Sequence, residues 1–577
     1  MPRHARFVIA SCVLIGCGGG SSTTRRDAGP PMDALGSGAH LGSGSGGLTG
    51  LGGVGGAAGS GTAGAGTAGA AMPTGSLVFT GSGAQLLTQG PPCNGDEAGV
   101  DGGTGDRWCG FVATSVSNPG HADLFVVNVT KAAAGTSITC GLTDPNCLRL
   151  TDNFGQDDPT QGPVVHVSFF GGNTLVYYDL MGTPFAWRPG MTAGRMLAVP
   201  DANMLNIVLC TPALTGTAVF CLRDLPTAMQ TDPTHTLLSD VLAGHVDDAA
   251  SPPLVKVETV ISASSSDNAV NHFEVSFPTP DLIAWSARVS ATGAEVLKTQ
   301  TLGNDASRVT VATGVNSWTT SPDGTRWYWL SAVSDTTGAG TLQSAPFPGG
   351  ASPVTIAASV IQYDFPTPTS LLTVDNTTTK KMLSFADPVG APTTSVSLDT
   401  GVLGWIALST QGHAAYVKKL FRNSAGMLSG IDLSVKKIDG TGACVLTTAT
   451  DAFPGNIGFT TSAAGVSWIQ QATSAAAAQF TRLSDCTKMT VASNIVGVET
   501  IGDRGIMFLD GFDMVSGTAN MKVQNLSAGA ISTDPASMVS GQVGSWAVTT
   551  SAGSDVIVYT VNGGGNDDGA YVKTFGP

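Results

Sequence analysis

WTTSPDGTRWYWL, residues 318–330, is the stretch on which the fold turns. Pro322 sets φ for a tight turn, Gly324 closes it, and the residues on either side read as short strands, the second alternating about Tyr328. Similar hairpins begin at Trp405 (WIALSTQGHAAYV), Gly458 (GFTTSAAGVSWI), Glu499 (ETIGDRGIMFL) and Trp546 (WAVTTSAGSDVIVY). Their expected turn glycines are Gly324, Gly412, Gly465, Gly505 and Gly553. Two more units share the words Phe-Pro-Thr-Pro, at Phe277 and Phe365, each followed by a strand. Phe277 and Phe365 lie 88 residues apart, as do Gly324 and Gly412, which is two steps of about 44. A period of roughly 40 to 45 residues with several short strands per step is the mark of propeller blades.

Working outward, seven such units follow residue 270, and three more lie between 108 and 270, as at VVHVSFFGGNTLVYYDL. The ordinary range is about 4 to 8 blades. The expectation is therefore an all-β β-propeller of seven or eight blades drawn from up to ten candidate repeats, with some units incomplete or a second ring present. A tandem of β-sandwiches is the alternative. No stretch keeps apolar residues at helical spacing for three turns, whereas short alternating runs recur throughout. The strand LVFT, Leu77 to Thr80, is expected to close the ring by pairing with Tyr571 to Phe575.

The SPDG turn, the aromatic strand after it, TLQSAPF and the Gly349-Gly350 turn resemble a blade of the TolB-like and WD-repeat propellers, closely over residues 270–565 and loosely over 108–270. The TolB group carries a separate α/β domain before its ring. Residues 76–108 are too few for one, so the envelope-integrity role of that group does not transfer.

The chain opens with Arg3 and Arg6, an apolar run FVIASCVLI from Phe7 to Ile15, and then Gly16-Cys17. That order is an export signal, and nine apolar residues fall short of the roughly 20 that span a bilayer. LIGC resembles the lipobox of bacterial lipoproteins. The resemblance implies a signal peptide over 1–16, cleavage before Cys17, and lipid attachment at Cys17, an acyl anchor that holds a protein to a membrane. Gly18 in place of aspartate favours the outer membrane by the same resemblance, on its periplasmic side or at the cell surface. Residues 17–75 are Gly, Ala, Ser and Thr with few large side chains. Such a composition predicts a disordered tether with a reach of about 40 Å. The propeller domain is expected over 76–577.

Charge narrows the partners. The formal net charge is −15, which repels a phosphate backbone, so nucleic acid is not expected as a partner. Of ten cysteines, Cys12 leaves with the signal and Cys17 takes lipid. The remaining even number in an exported chain reads as disulfides. Proximity pairs Cys93 with Cys109, Cys140 with Cys147, and Cys210 with Cys221. Parity would join Cys444 to Cys486, but their matching places in consecutive repeats set them on outer strands of neighbouring blades, too far apart for a bond that needs Cα atoms within about 7 Å. That pair is expected to be free or to need an irregular blade.

Chemistry is sparsely encoded. His121, His166, His235, His245, His272 and His413 form no metal-binding spacing, and no nucleophile elbow, Walker loop or dinucleotide fingerprint occurs. No catalytic, cofactor-binding or metal residue is assigned. Gly244-His245-Val246-Asp247-Asp248 reads as a solvated loop before it reads as a base or cation site. Asn94-Gly95-Asp96-Glu97-Ala98-Gly99 with Asp101 has the outline of a Ca²⁺ loop, yet Ala98 stands where an oxygen ligand belongs. Asn566-Asp567-Asp568-Gly569 reads as a hairpin turn. Trp327 and Trp329 are expected in the core between blades, with sugar stacking as the other use. The leading expectation is a membrane-tethered binding scaffold, with an envelope protein or polysaccharide as partner. The alternatives are a hydrolase or lyase acting on peptide or polysaccharide, and a purely structural surface protein.

Overall fold

The computed structural model describes residues 75–575 apart from stretches that include 95–104, 226–236, 264–273 and 448–458. Cys17, the export signal and nearly all of the glycine-rich segment lie outside the described residues. Strands dominate, and each of the ten candidate repeats forms an antiparallel unit of four strands, the first extended by a fifth, Gly162–Val165, beside Cys147–Asp158.

The units run in chain order. Blade 1 is Gln85–Leu86, Trp108–Thr114, His121–Asn128 and Cys147–Asp158. Blade 2 is Ser168–Gly171, Thr174–Tyr178, Pro184–Trp187 and Arg195–Met196. Blade 3 is Ile207–Pro212, Ala218–Asp224, Leu237–His245 and Val255–Ala263; blade 4 is Glu274–Thr279, Leu282–Arg288, Glu295–Thr301 and Val309–Thr313. Blade 5 has Val315–Thr320, Arg326–Ser331, Gly340–Pro346 and the first half of Val354–Thr367; blade 6 takes its second half, then Ser370–Asp375, Met382–Phe385 and Ser395–Asp399. Blade 7 is Gly404–Ser409, His413–Arg422, Leu428–Lys437 and Ala443–Thr447, and blade 8 is Phe459–Thr461, Gly465–Gln471, Ala476–Arg482 and Lys488–Ser493. Blade 9 has Ile495–Ile501, Gly505–Asp513, Thr518–Ser527 and the start of Ala536–Ser551, whose end opens blade 10 with Ser554–Val561 and Gly569–Phe575.

Burial shows which edge faces out. The fourth strands are largely solvated, as in Val309–Thr313, Ser395–Asp399 and Lys488–Ser493. The second strands are buried on both faces, as in Thr174–Tyr178 and Ser370–Asp375, because a neighbouring sheet covers each side. That is why their sequences read as continuous apolar runs and not as alternation. The first strands of successive units lie against one another, Ser168–Gly171 on Ile207–Pro212 and Phe459–Thr461 on Ile495–Ile501, so they form the inner wall.

Hydrophobic clusters cross from each unit to the next. Phe220 and Trp285 bind blade 3 to blade 4, Trp318, Trp327 and Trp329 bind 4 to 5, and Tyr328 with Phe365 bind 5 to 6. The tenth unit meets the first through Val556, Val558 and Val572 packed on Leu86, Phe111 and Val127. Ser76–Thr80 pairs antiparallel with Gly569–Phe575, Ser76 opposite Val572 and Thr80 opposite Gly569, and so supplies the fourth strand of the last blade. Among the described residues the result is one closed ring of ten blades, not the expected seven or eight with incomplete repeats or a second ring. Every candidate repeat completes a blade, two of them by sharing a long strand with a neighbour. Closure removes the two free sheet faces that would otherwise remain at the ends of the stack.

Three of the five expected turn glycines, Gly324, Gly412 and Gly553, hold positive φ in first hairpins. Gly465 and Gly505 instead begin the second strands of their blades. A Cβ on Gly465 would stand 2.4 Å from Thr481 O, and one on Gly505 would stand 2.8 Å from the Phe575 ring, so both are small for close packing. One helix of five residues, Val129–Ala133, links strands of blade 1, its start capped by Asn128. No described helix is long and apolar enough to cross a membrane.

Candidate functional site

The inner wall is the surface that the ring creates and no single blade owns. Sheets packed face to face lie about 10 Å apart and strands about 4.8 Å apart. Ten such sheets around an axis put the first strands about 9 Å from it, against about 4 Å for seven blades. The bore is therefore wide enough between backbones for an extended chain.

Side chains on the first strands face neighbouring blades, so the wall is formed by the inner edges of those strands, where some amides are taken by neighbouring side chains, Leu86 N by Ser545 Oγ and Cys210 N by Tyr178 OH. The ten first strands hold no Lys, Arg or His, and Glu274, Asp364 and Glu499 are their acidic residues. Glu499 Oε2 accepts Trp546 Nε1 at 3.0 Å across blades 9 and 10, and Asp364 Oδ1 accepts the Phe365 amide at 2.6 Å. The rest of the polar content is hydroxyl and amide. Ser545 Oγ bonds Thr560 Oγ1 at 2.8 Å and accepts the Leu86 amide at 2.9 Å, which also ties blade 10 to blade 1.

Charge concentrates elsewhere, in the outer strands of blades 3 and 4. Arg223 NH2 lies 2.8 Å from Asp240 Oδ2 with both side chains buried, and Lys256 Nζ and Thr259 Oγ1 reach Asp240 Oδ1 at 2.9 and 2.6 Å. Burial works to raise the Asp240 carboxyl, but the Lys256, Thr259 and Arg223 bonds outweigh it and hold the group below its ordinary value. Glu258 accepts Trp285 Nε1 at 2.8 Å and Lys298 Nζ at 2.5 Å. Arg308 donates to Val257 O and to Gln300 Oε1, with its guanidinium 5.9 Å from the Trp285 ring centre. Each of these carboxylates is engaged by cations or donors and offers no free base: the Asp240 group ties strands of blade 3 together, and the Glu258 and Arg308 bonds clamp blade 3 to blade 4. Tyr177, Tyr178 and Tyr416 are pushed up by burial, Tyr416 further by its bond to Asp399, and stay neutral.

The residues singled out in the sequence fall as follows. Cys93 is bonded to Cys109, Cys140 to Cys147 and Cys210 to Cys221, with Cα separations of 3.9, 4.6 and 3.9 Å. Cys444 and Cys486, expected to be free or to need an irregular blade, are bonded at a Cα separation of 5.2 Å. The repeat positions misled because Cys486 is not on an outer strand. It sits at φ 59° in the turn before Lys488–Ser493, and that turn reaches across to Cys444 on Ala443–Thr447 of blade 7. His245 Nδ1 faces Thr217 Oγ1 at 3.1 Å and its Nε2 lies 3.6 Å from Asp281, a tie between turns of blades 3 and 4. Asp247 and Asp248 lie outside the described residues, as do His166, His235 and His272. Of the Ca²⁺-like loop only Asn94 is described, and its side chain is committed to the Trp108 amide at 2.6 Å and Asn173 Oδ1 at 2.7 Å. Asp567 and Asp568 lie in the hairpin before Gly569–Phe575, where their carbonyls accept Tyr571 OH and the Gly81 amide. Trp327 and Trp329 are buried between blades 4 and 5. Among the described residues no group of three His, Cys, Asp or Glu could hold a metal ion.

One repeated device escaped the sequence reading although its signal, Asp-x-Thr, was visible. Asp323, Asp375, Asp439 and Asp485 each accept the amide of the Thr two residues on, closing a turn with a side chain in place of a backbone carbonyl. Asp439 is held low by its bonds from Thr441, and Asp485 by those from Thr487.

No known protein family matches this chain, and no curated protein does. Solved structures it resembles include a eukaryotic initiation factor, at 11% identity over 74% of this chain and 95% of that one, with a TM-score of 0.42. The β-propeller domain of the Trilobed protease from Pyrococcus furiosus matches at 11% identity over 51% of this chain and 91% of that one, with a TM-score of 0.26. Oligopeptidase B from Leishmania major matches at 12% over 61% and 53%, with a TM-score of 0.31. These likenesses concern fold alone, and the propeller assignment rests on the sheets described above.

Proposed function

We propose that this protein is a lipid-tethered scaffold of the bacterial envelope that binds an extended partner, a protein segment or a polysaccharide, at the mouth and wall of its central channel. The observation that carries the reading is the inner wall: strand edges, hydroxyls and amides, with Asp364 and Glu499 already engaged. Free strand edges recognise extended chains by main-chain hydrogen bonds without a charged motif. The lipobox at Cys17 and the glycine-rich segment after it support a tether at the outer membrane.

The two halves are tested separately. Cys17→Ser in the full chain should move the protein from the membrane fraction to the soluble one, and an unchanged distribution refutes the anchor. A photo-crosslinking side chain at Gln85, which is exposed on the first strand of blade 1, should capture an envelope peptide or glycan strand presented to the full chain, while the same group at Val396 on an outer strand should not. Capture at Val396 alone places binding on the rim. Turnover of the presented peptide or polysaccharide establishes an enzyme and overturns the scaffold.

A further inference from the structure

We propose that the Cys444–Cys486 disulfide is a thiol-exchange site at which a small-molecule thiol forms a mixed disulfide with Cys486 and unties blade 7 from blade 8. This goes beyond the scaffold reading and does not depend on it. Position sets this bond apart from the other three. The Cys93–Cys109 and Cys140–Cys147 bonds lie within blade 1 and its connections, and Cys210–Cys221 joins the first two strands of blade 3. Cys444–Cys486 alone among them passes from one blade to the next.

Access sets it apart again. Cys93, Cys109, Cys147, Cys210 and Cys221 are 0% exposed, and Cys140 is bonded to one of these. Exchange requires a thiolate to reach a disulfide sulfur; burial denies that approach to Cys93–Cys109 and Cys210–Cys221, and Cys140–Cys147 offers only the half-buried Cys140. Cys444 is buried at 4%, whereas Cys486 is exposed in its turn. The incoming thiolate therefore meets Cys486 Sγ from solvent. Its new S–S bond forms there, the bond to Cys444 Sγ breaks, and the electron pair leaves on Cys444, which takes a proton from water. A second thiol attacking the mixed disulfide releases Cys486 and departs as the thiol's own disulfide, so the two electrons come from the two thiols.

Access gives the direction of cleavage. Cys486 is the exposed residue and Cys444 is buried, so attack falls on Cys486, Cys444 is the leaving group, and the adduct stays on the exposed residue. Asp485 beside it is paired with Arg482 at 3.4 Å.

The test uses the full chain under native conditions, reduced glutathione as the probe, trapping with excess N-ethylmaleimide in denaturant, and peptide mapping. The glutathione adduct should appear on Cys486 and the alkyl label on Cys444, on the order of tenfold faster than at any of the other six cysteines. Reaction of all four bonds at one rate, or reaction at this one only in denaturant, overturns the proposal. A Cys444→Ser/Cys486→Ser double variant should show no rapid reaction and should lose hydrogen-exchange protection in Ala443–Thr447 and Lys488–Ser493. Unchanged protection there would show that the bond does not hold the seam.

Discussion

Substituting Gly569→Ala should open the ring at its seam. A Cβ at residue 569 would sit 1.9 Å from Phe79 O and 3.0 Å from Phe79 C. Those are backbone atoms of the closing strand, which no rotamer change can move aside. Relief therefore requires Ser76–Thr80 to draw away from Gly569–Phe575. Val78, 2% exposed, would then leave a cluster shared with Phe111 and Val127, at about 1.5 to 3 kcal/mol. Phe79 would leave rings at 5.3 Å (Phe111) and 4.9 Å (Phe125), each contact contributing about 0.5 to 1.5 kcal/mol. Complete detachment sums to roughly 5 kcal/mol, and overpacking relieved by partial shifts ordinarily costs about 1 to 3 kcal/mol, so a loss of about 2 to 4 kcal/mol is expected. Gly553→Ala is the control: its φ of +76° makes a side chain unfavourable, but nothing lies within 4 Å of its Cβ, so it should cost about 1 to 2 kcal/mol and leave the seam closed. Denaturant unfolding reads the stability, and hydrogen exchange over 76–80 and 569–572 reads the seam. A Gly569→Ala protein within about 0.5 kcal/mol of the parent, with protection in 76–80 intact, would refute the view that this strand closes the ring by close backbone contact.

Two further expectations come from the charged groups of blades 3 and 4. Removing Glu258 by Glu258→Ala strips Lys298 and the Trp285 indole of their common acceptor, and should cost about 2 to 4 kcal/mol by denaturant midpoint. Glu258→Gln, which keeps an acceptor for the indole, should cost less, and equal losses would argue against the indole bond. Asp240 has a depressed pKa in the folded state, so its contribution to stability is present above the unfolded carboxylate value of about 3.9 and is lost as pH falls through the folded value. Asp240→Asn should therefore flatten the acid limb of a stability profile below about pH 4 while leaving Arg223 buried and under-neutralised at pH 7, at about 3 kcal/mol. An acid limb as steep as the parent's would assign it to other carboxylates, Asp399 and Asp323 among them.

Local signals in the sequence marked seven units from Phe277 to Trp546, through turn glycines at Gly324, Gly412 and Gly553 and Phe-Pro-Thr-Pro at Phe277 and Phe365. They did not set the number of blades, expected to be seven or eight where the ring has ten. What the sequence hid was set by contacts between units. The last strand of blade 5 runs into the first of blade 6 within Val354–Thr367, bending at Ser359 with φ 55°, and Ala536–Ser551 does the same between blades 9 and 10. Composition gives no boundary at either place. The Cys444–Cys486 bond was missed for the same reason, since its geometry depends on how far a turn of one blade overhangs the next, a distance that matching repeat positions do not contain. The inner wall was not legible in the sequence, because which strand of a blade faces the axis, and the engagement of Glu499 by Trp546, depend on how two blades meet.

The placement of the aromatic residues bears on what the wall can bind. Most of the largest fully buried side chains, Trp285, Trp327, Trp329, Tyr177, Tyr328, Tyr416 and Tyr559 among them, stand on second strands. Sheets arranged around an axis diverge outward, so the gap between neighbours is narrowest at the first strands and must be filled by progressively larger groups away from them. Trp and Tyr fill that wedge, with indole nitrogens bonded to Glu258 and Pro348 O. The large rings that do stand on first strands, Trp318, Tyr363 and Trp546, are buried between blades as well, Trp546 bonded to Glu499 and Tyr363 to Tyr328 O. Rings locked in this way cannot swing into the channel to stack on a sugar. A partner in the bore therefore meets strand edges and short polar side chains, which favour an extended chain held by hydrogen bonds over a flat ligand held by stacking.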